Sequence, residues 1–147
     1  DEGLYDPANE PDIAYPYLFS YFKGEEWRTQ KETQRLLDKY FTTKPDGIPG
    51  NDDTGTMSSW AIFNMIGFYP DCPGLPEYTL TTPVFDKVTI RLDPKWYKEN
   101  ELVIESNRAQ PGTLYINKVL LNGKKFNKYR ITHDELVHGQ HIYFDLK

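Results

Sequence analysis

The spacing of hydrophobic and polar positions changes character around residues 70–76. Before this point the apolar residues recur at helical intervals, and after it short alternating segments are separated by Gly, Asn and Pro. Helices followed by strands are typical of the α+β class, whereas an α/β sheet alternates the two. The sequence therefore predicts an α+β fold, with a helical segment over residues 1–76 and a β-strand region over residues 77–147.

Three helices are predicted in the first segment. The first covers about residues 12–22. The second fits residues 25–40, where Trp27 is expected to share a buried face with the leucines near the end of the helix. The third, residues 56–66, is apolar almost all round, which predicts that it is buried between other elements.

The second segment is expected to form a C-terminal antiparallel β-sheet. Asn122-Gly123 is a strong signal for a two-residue hairpin turn between Leu121 and Lys124. A short helical turn is expected over residues 132–136. The predicted strands cover residues 78–81, 87–92, 102–105, 115–121 and 142–146.

Composition and charge limit the possible partners. Hydrophobic residues make up 38% and charged residues 27%, which is a globular rather than a disordered balance. The formal net charge of −5, without a basic run, argues against a nucleic-acid partner. No stretch approaches the roughly 20 apolar residues of a membrane span, so no membrane partner is expected. Aromatic residues reach 15%, which suits sugar binding, although core packing is their commoner use.

The strongest chemical candidate is the acidic loop Gly50-Asn51-Asp52-Asp53-Thr54-Gly55. Its two adjacent carboxylates are expected to point in different directions, so one could face a metal ion and the other a water molecule. Carboxylate and carbonyl oxygens are the ligands that Ca²⁺ prefers. The alternative interpretation is structural: Asp53 or Thr54 caps the following helix, and Asp52 lies in solvent.

Two further groups of polar residues are weaker candidates. Asn9-Glu10-Pro11-Asp12 offers amide and carboxylate ligands for a metal ion or a sugar, but it also suits the start of a helix. The three histidines are more typical of surface or capping positions than of a metal site; they are His133, His138 and His141.

Read together, these segments resemble glycoside hydrolase family 92. The most specific block is Gly-Asn-Asp-Asp-Thr-Gly-Thr-Met-Ser-Ser-Trp, which spans residues 50–60. The other blocks follow in the family's order and spacing, and the resemblance covers nearly the whole chain. They are Asn9-Glu10-Pro11, Tyr17-Leu18-Phe19, Trp27-Arg28-Thr29-Gln30, Gly67-Phe68-Tyr69-Pro70 and Pro83-Val84-Phe85.

The resemblance implies an exo-acting α-mannosidase that uses Ca²⁺ and inverts the anomeric centre. It implies that residues 1–76 form the last helices of an (α/α)₆-type barrel, followed by terminal strands. Asp52 and Asp53 would supply the general base and help to hold calcium. The remaining carried-over residues would line the calcium and sugar pocket or lie near it; they are Asn9 and Glu10, which with Asp52 form the expected metal set, and Thr29 and Gln30.

The chain also departs from the family pattern. Ala8 and Ala14 stand where the family commonly has Gly and His, which leaves the linkage preference open. The general-acid Glu of the family lies upstream of the blocks matched here. The resemblance therefore implies that the missing N-terminal part of the same chain is a partner, and that the 147-residue chain alone is inactive.

Three further expectations follow from the same resemblance and from the composition. The parent protein is expected to be secreted or periplasmic and to act on a mannose-containing oligosaccharide. The chain alone could form an oligomer, because an incomplete barrel exposes apolar surface. The alternative function is a non-catalytic carbohydrate-binding or accessory module, which exposed aromatic residues and an acidic loop would serve equally well.

Overall fold

The computed structural model describes residues 6–107 and 112–147, so the first residues of the predicted 1–76 segment, and residues 108–111 of the predicted strand region, lie outside the described residues. The helical part begins with two short 3-10 helices, Glu10–Asp12 and Tyr15–Tyr21. Helix α1 (Glu26–Tyr40) and helix α2 (Thr56–Ile66) follow. No helix of the described residues is both long enough and apolar enough to cross a membrane.

The strands form two sheets, and a short helix α3 (His133–His138) lies between the last two strands. A three-stranded sheet has the order β1-β2-β7, and a five-stranded sheet has the order β3-β4-β8-β5-β6. The strands are β1 (Phe68–Tyr69), β2 (Glu77–Leu80), β3 (Lys87–Arg91), β4 (Glu101–Asn107), β5 (Ile116–Leu121), β6 (Lys124–Phe126), β7 (Arg130–Thr132) and β8 (His141–Leu146).

These elements confirm the α+β class and correct the purely antiparallel sheet. Strand β8 pairs antiparallel with β5 but parallel with β4, so the larger sheet is mixed. A parallel pair needs a long connection between its strands, and here the β5–β6 hairpin, β7 and α3 supply it. The predicted hairpin is confirmed, because Asn122 and Gly123 both take positive φ values, 50° and 76°, as a type I′ turn requires.

The first predicted helix is wrong in type. An α-helix over residues 12–22 would place Pro16 where a backbone N–H must donate to the preceding turn, and proline has none. The chain instead forms two 3-10 helices, each with a proline in its first two positions. The bounds of the third predicted helix are confirmed in α2, but its complete burial is wrong, because Ile62 is 59% exposed. Trp27 is also 41% exposed rather than buried on α1.

Two hydrophobic clusters form the core. One lies in the sheets and includes Phe144 and Ile104, both almost completely buried, with Phe63 and Ile66 of α2 packed against it. The other joins the helices around Tyr17, whose hydroxyl donates to Asn64 Oδ1 at 3.0 Å. Because α2 contributes to both clusters, it holds the helical part against the strands.

Candidate active site

The acidic loop is held in an unusual backbone conformation directly before α2. Asp53, Thr54 and Gly55 take consecutive positive φ values of 38°, 62° and 92°. Side chains other than glycine rarely adopt this region, and it costs of order 1–3 kcal/mol where they do. Such strain is found mainly at functional sites, where the surrounding structure holds it in place. The two acidic residues therefore lie on a turn that the rest of the fold must stabilise.

Asp52 anchors this turn to the helix. Its Oδ1 accepts a hydrogen bond from the Ser58 backbone N–H at 2.8 Å, and its Oδ2 accepts one from the Ser58 hydroxyl at 2.7 Å. These two hydrogen bonds lower the pKa of Asp52 below its usual value, because they stabilise the ionised carboxylate. Gly55 occupies the N-cap position without a side-chain hydrogen bond, so the expectation that Asp53 or Thr54 caps the helix is wrong.

Asp53 has different surroundings from its neighbour. Its backbone carbonyl accepts from the Thr56 hydroxyl at 2.7 Å, which fixes the main chain at this point. Its side chain is exposed, and within residues 6–107 and 112–147 no hydrogen bond to its carboxylate is observed. The two adjacent carboxylates therefore have different surroundings. One is held by the helix, and the other faces solvent.

The second acidic segment lies beside this loop. A Cβ atom added to Gly50, which has a φ of 60°, would lie 2.5 Å from the Ala8 Cβ, so the two segments are in contact at this point. Ala8 directly precedes Asn9 and the exposed Glu10. The Asn9 side-chain amide donates to Asp12 Oδ2 at 3.2 Å. The structure thus brings together the two segments that the sequence singles out, although they are about forty residues apart.

Thr29 and Gln30 lie near the N-terminal end of α1. Both are 1% exposed, and Gln30 Oε1 accepts the Ile116 backbone N–H at 2.9 Å, which ties the helix to β5. The far end of α1 reaches α2, where Phe41 stacks on Trp60 with ring centres 5.4 Å apart. Gln30 lies eleven residue steps before Phe41, which is roughly 16 Å at 1.5 Å per residue. The hydrogen bond of Gln30 thus joins it to β5, and no hydrogen bond among the described residues joins Thr29 or Gln30 to the acidic loop.

The described residues contain no group of three or more His, Cys, Asp or Glu side chains arranged to hold a metal ion. The histidines pair individually. His133 Nδ1 lies 2.8 Å from the Tyr78 hydroxyl, and His141 Nε2 lies 2.8 Å from Glu105 Oε2. The expected calcium set of Asn9, Glu10 and Asp52 has the right ligand chemistry, but it is small for an ion that takes six to eight oxygen atoms.

Ser58 is the site residue that was not singled out from the sequence. It is the third residue of α2, where a free backbone N–H is available to a capping side chain. A Ser near a helix start usually suggests a cap in its own right, and here it instead donates to an Asp six residues earlier. The signal present in the sequence is the Asp-Asp pair preceding a helix start, which fits a carboxylate at a helix N-terminus.

Carboxyl groups held in defined positions are the groups that glycoside hydrolases use. The profile described as the glycosyl hydrolase family 92 catalytic domain matches residues 1–147, and the chain belongs to this family.

Solved structures of family members share the fold. The chain is similar to a family 92 α-mannosidase from Bacteroides thetaiotaomicron, with 32% identity and a TM-score of 0.84 over 98% of this chain and 18% of that chain. It is also similar to an inverting mannosidase of the same family from Bacteroides thetaiotaomicron VPI-5482, with 35% identity and a TM-score of 0.85 over 99% of this chain and 19% of that chain.

A curated relative is also a glycosidase. An uncharacterized secreted glycosidase of Arthroderma benhamiae is 29% identical over 139 residues, which is 95% of this chain and 18% of the relative. The chain thus spans less than a fifth of the length of each of these three relatives.

Proposed function

We propose that the polypeptide containing this chain is an exo-acting α-mannosidase that removes terminal α-linked mannose from mannan or N-glycan chains with inversion. Family membership supports the glycosidase class, and one solved relative carries the name of an inverting mannosidase. Another was solved in complex with mannoimidazole. The observation in this chain that carries the proposal is the double hydrogen bond from Ser58 to Asp52, which places a fixed carboxylate beside the exposed carboxylate of Asp53.

The two aspartates would divide the work. A carboxylate whose anion is stabilised by hydrogen bonds is a poorer proton acceptor, so Asp52 suits a charged anchor and a metal ligand. Asp53, which is exposed on a strained turn, suits the general base that takes a proton from the attacking water. In an inverting mechanism this water attacks the sugar from the side opposite the leaving group.

Asn9, Glu10 and Asp52 would supply oxygen ligands to a calcium ion. Their amide and carboxylate oxygens match the preference of Ca²⁺, and the contact between Ala8 and Gly50 brings their two segments together. Further ligands would have to come from outside this set. When bound, calcium would neutralise negative charge near the sugar hydroxyls and help to orient the ring. The assignment of Thr29 and Gln30 to the substrate remains a prediction.

The rest of the same polypeptide would complete the site. The general acid is assigned to no residue of this chain, and an inverting glycosidase needs two carboxyl groups about 6.5–9.5 Å apart. We therefore expect the 147-residue chain alone to be inactive, and its natural partner to be the upstream part of the same domain. The secreted relative from Arthroderma benhamiae supports a secreted location for the whole protein.

The test measures hydrolysis of an aryl α-mannoside and of α-mannan by the polypeptide as its gene encodes it. Asp53→Asn should lower kcat by about 10²–10⁴-fold, the usual contribution of a general base. Asp46→Asn is the matched control, because Asp46 is an exposed acid in the loop that precedes the site. Removing calcium with a chelator should abolish activity reversibly, and proton NMR of the first product should show the β-anomer.

Three results would contradict the proposal. They are full activity in Asp53→Asn, an α-anomeric first product, or no hydrolysis of any α-mannoside by the wild type. The last result, combined with binding of mannan, would favour the accessory module. The exposed aromatic side chains of the helical part are the observation that favours this second candidate, and they include Trp27 and Tyr15.

A further inference from the structure

An aromatic cleft lies where the first turns of α1 meet the start of β5 and the segment before β7. Its volume is about 380 Å³, within the range of about 300–1,000 Å³ that is typical of small-molecule sites. The residues that line it are Trp27, Gln30, Tyr115, Ile116, Tyr129 and Lys147.

Three of the side chains that line the cleft make defined contacts. Trp27 meets the Tyr115 ring edge-on, with ring centres 6.3 Å apart and planes at 70°. Gln30 is 1% exposed, and its oxygen is occupied by the Ile116 N–H. The orientation of its amide is therefore set by this hydrogen bond. Ligand binding would require little ordering of these groups, which favours affinity.

The chemistry of the lining suits a sugar. Trp and Tyr each combine an apolar face with a polar tip, so they can contact the C–H face of a sugar ring and its hydroxyl groups at the same time. The lining side chains of Trp27, Tyr115, Tyr129 and Lys147 carry hydrogen-bonding groups. A purely apolar ligand would leave these polar groups without partners, which is unfavourable in a partly buried site.

The cleft is separate from the acidic loop. Trp27 lies in the first turn of α1, whereas Phe41, which stacks on Trp60 of α2, directly follows its last turn. The fourteen residue steps from Trp27 to Phe41 correspond to roughly 20 Å of helix. Asp52 is held at the N-terminus of α2, the helix that Phe41 contacts. A sugar in the aromatic cleft would therefore not be the sugar that reacts.

We propose that the aromatic cleft of Trp27 and Tyr115 is a second carbohydrate-binding site, which holds a mannose residue of a longer glycan away from the bond that is cleaved. The inference rests on the proposed mannosidase function for the identity of the sugar. It predicts that the cleft raises the affinity for polymeric substrate and has no role in the chemical step.

The test compares mannan with a small substrate in the polypeptide as its gene encodes it. Trp27→Ala should weaken binding to α-mannan by about three- to tenfold, the size that one aromatic contact contributes. It should leave kcat/KM for an aryl α-mannoside within about twofold of wild type. Trp27→Phe, which keeps a ring, should restore most of the affinity. Affinity electrophoresis in gels that contain mannan measures binding without any need for turnover.

The matched control is Trp96→Ala. Trp96 is 73% exposed in the strand region, and Lys95 Nζ lies 4.9 Å from its ring centre, much as the Arg28 guanidinium lies 5.2 Å from the ring centre of Trp27. Its loss should not change mannan binding. Equal mannan affinity in wild type and Trp27→Ala would overturn the inference, as would a matching loss in Trp96→Ala.

A second readout does not depend on the alanine variant. In NMR spectra of the wild type, the indole N–H signal of Trp27, assigned with Trp27→Phe, should shift on addition of a mannose oligosaccharide, and that of Trp96 should not. A static Trp27 signal at saturating oligosaccharide would overturn the inference. If the wild type cleaves aryl mannoside but Trp27 does not respond, the second site fails while the proposed function stands. If no α-mannoside is cleaved but the Trp27 signal shifts, the proposed function fails while the second carbohydrate-binding site stands.

Discussion

The helical part, residues 6–76, and the strand part, residues 77–147, complete their cores to different degrees. In the described residues of the strand part, two large hydrophobic side chains are exposed, Phe85 and Trp96. In the helical part, eight are exposed; they are Tyr15, Leu18, Tyr21, Phe22, Trp27, Ile48, Ile62 and Leu75. Contiguous exposed apolar patches usually mark interaction sites, whereas single exposed residues are normal.

The difference in exposed apolar side chains indicates which part is covered within this chain and which part has surface left for a partner. The strands satisfy one another through hydrogen bonds and bury their apolar side chains between the sheets, α2 and α3. The second 3-10 helix instead has three residues per turn, which aligns Tyr15, Leu18 and Tyr21 along one side, and all three are exposed. The Arg130 guanidinium lies 4.1 Å from the centre of the Tyr21 ring and covers part of it, while Leu18 is 52% exposed. The exposed remainder of this side fits the proposed contact with the upstream part of the same domain.

The largest expected effect compares the two cores directly. Phe144→Ala, at a side chain that is 0% exposed in the strand part, should lower the free energy of unfolding by about 3–5 kcal/mol. Leu18→Ala, at a side chain that is 52% exposed in the helical part, should change it by less than about 0.5 kcal/mol in the 147-residue chain. Urea unfolding followed by circular dichroism measures both.

The same Leu18→Ala variant should also be measured in the polypeptide as its gene encodes it and compared with the 147-residue chain. If the upstream part of the domain covers Leu18, the substitution should become strongly destabilising there, by about 2–5 kcal/mol. A loss that stays equally small in both polypeptides would show that this side of the helical part remains in solvent. The comparison of the two parts would then have to be explained without a partner.

The next prediction concerns the ion pair that joins the two parts. Arg130 of β7 contacts Asp71 at 2.6 Å and Glu77 at 2.9 Å, and it also donates to Ser20 of the second 3-10 helix at 3.2 Å. The Asp71 side chain is 2% exposed. Asp71→Asn should cost about 2–3 kcal/mol, below the usual loss for breaking a buried pair because Glu77 remains beside Arg130.

The control for this ion pair is Lys87→Met, which removes an exposed pair with Glu105 inside the strand part. Its effect on unfolding should be small, since exposed pairs contribute little. Hydrogen exchange should also show faster opening of the second 3-10 helix in Asp71→Asn, with the five-stranded sheet unchanged. Uniform loss of protection across both parts would mean that the two parts do not separate along this contact.

Local signals explain which features could be predicted from the sequence. The α2 bounds, the hairpin at Asn122-Gly123 and the α+β class follow from periodicity and turn chemistry, and all three are confirmed. The parallel pairing of β4 with β8 could not be predicted, because it depends on where a long connection returns. Short strands such as β1 and β7 were missed because two or three residues carry no period.

In the candidate site, too, local features could be predicted from the sequence and tertiary contacts could not. The acidic loop was found because two adjacent carboxylates between glycines are unusual, and the family blocks around it are specific. The contact of Ala8 with Gly50 and the hydrogen bonds from Ser58 depend on tertiary packing, so no local pattern reveals them. The exposure of Trp27 was missed because helical periodicity reports the side of a helix but not whether anything covers that side.

A smaller effect tests the rigidity of the backbone in each part. Gly123 and Gly24 have positive φ values of 76° and 90°, and a Cβ atom at either would meet nothing within 4 Å. Alanine at each position should therefore cost about 1–2 kcal/mol through backbone strain alone. Unfolding measurements on Gly123→Ala and Gly24→Ala compare the two parts. A much smaller loss at Gly24 would mean that the chain there can relax and that the helical part is the less rigid of the two.

The smallest expected effect is the pH dependence that Asp52 contributes to the helical part. Hydrogen bonds from Ser58 lower the folded pKa of Asp52 below its ordinary value of 3.8, so the folded state binds this proton less readily than the unfolded state. The resulting stabilisation is present above the unfolded pKa and is lost as the pH falls through the folded pKa. The difference in unfolding free energy between wild type and Asp52→Asn should therefore shrink between about pH 5 and pH 2.

Ser58→Ala removes the hydroxyl and keeps the backbone donor, so it should reduce this acid-dependent difference without abolishing it. Asp53→Asn leaves both Ser58 hydrogen bonds in place and should retain the full loss on acidification. A difference that stays constant across this pH range would mean that the Asp52 carboxylate is not held by α2 in solution. The division between an anchored and an exposed aspartate would then fail, and with it the assignment of the base to Asp53 rather than Asp52.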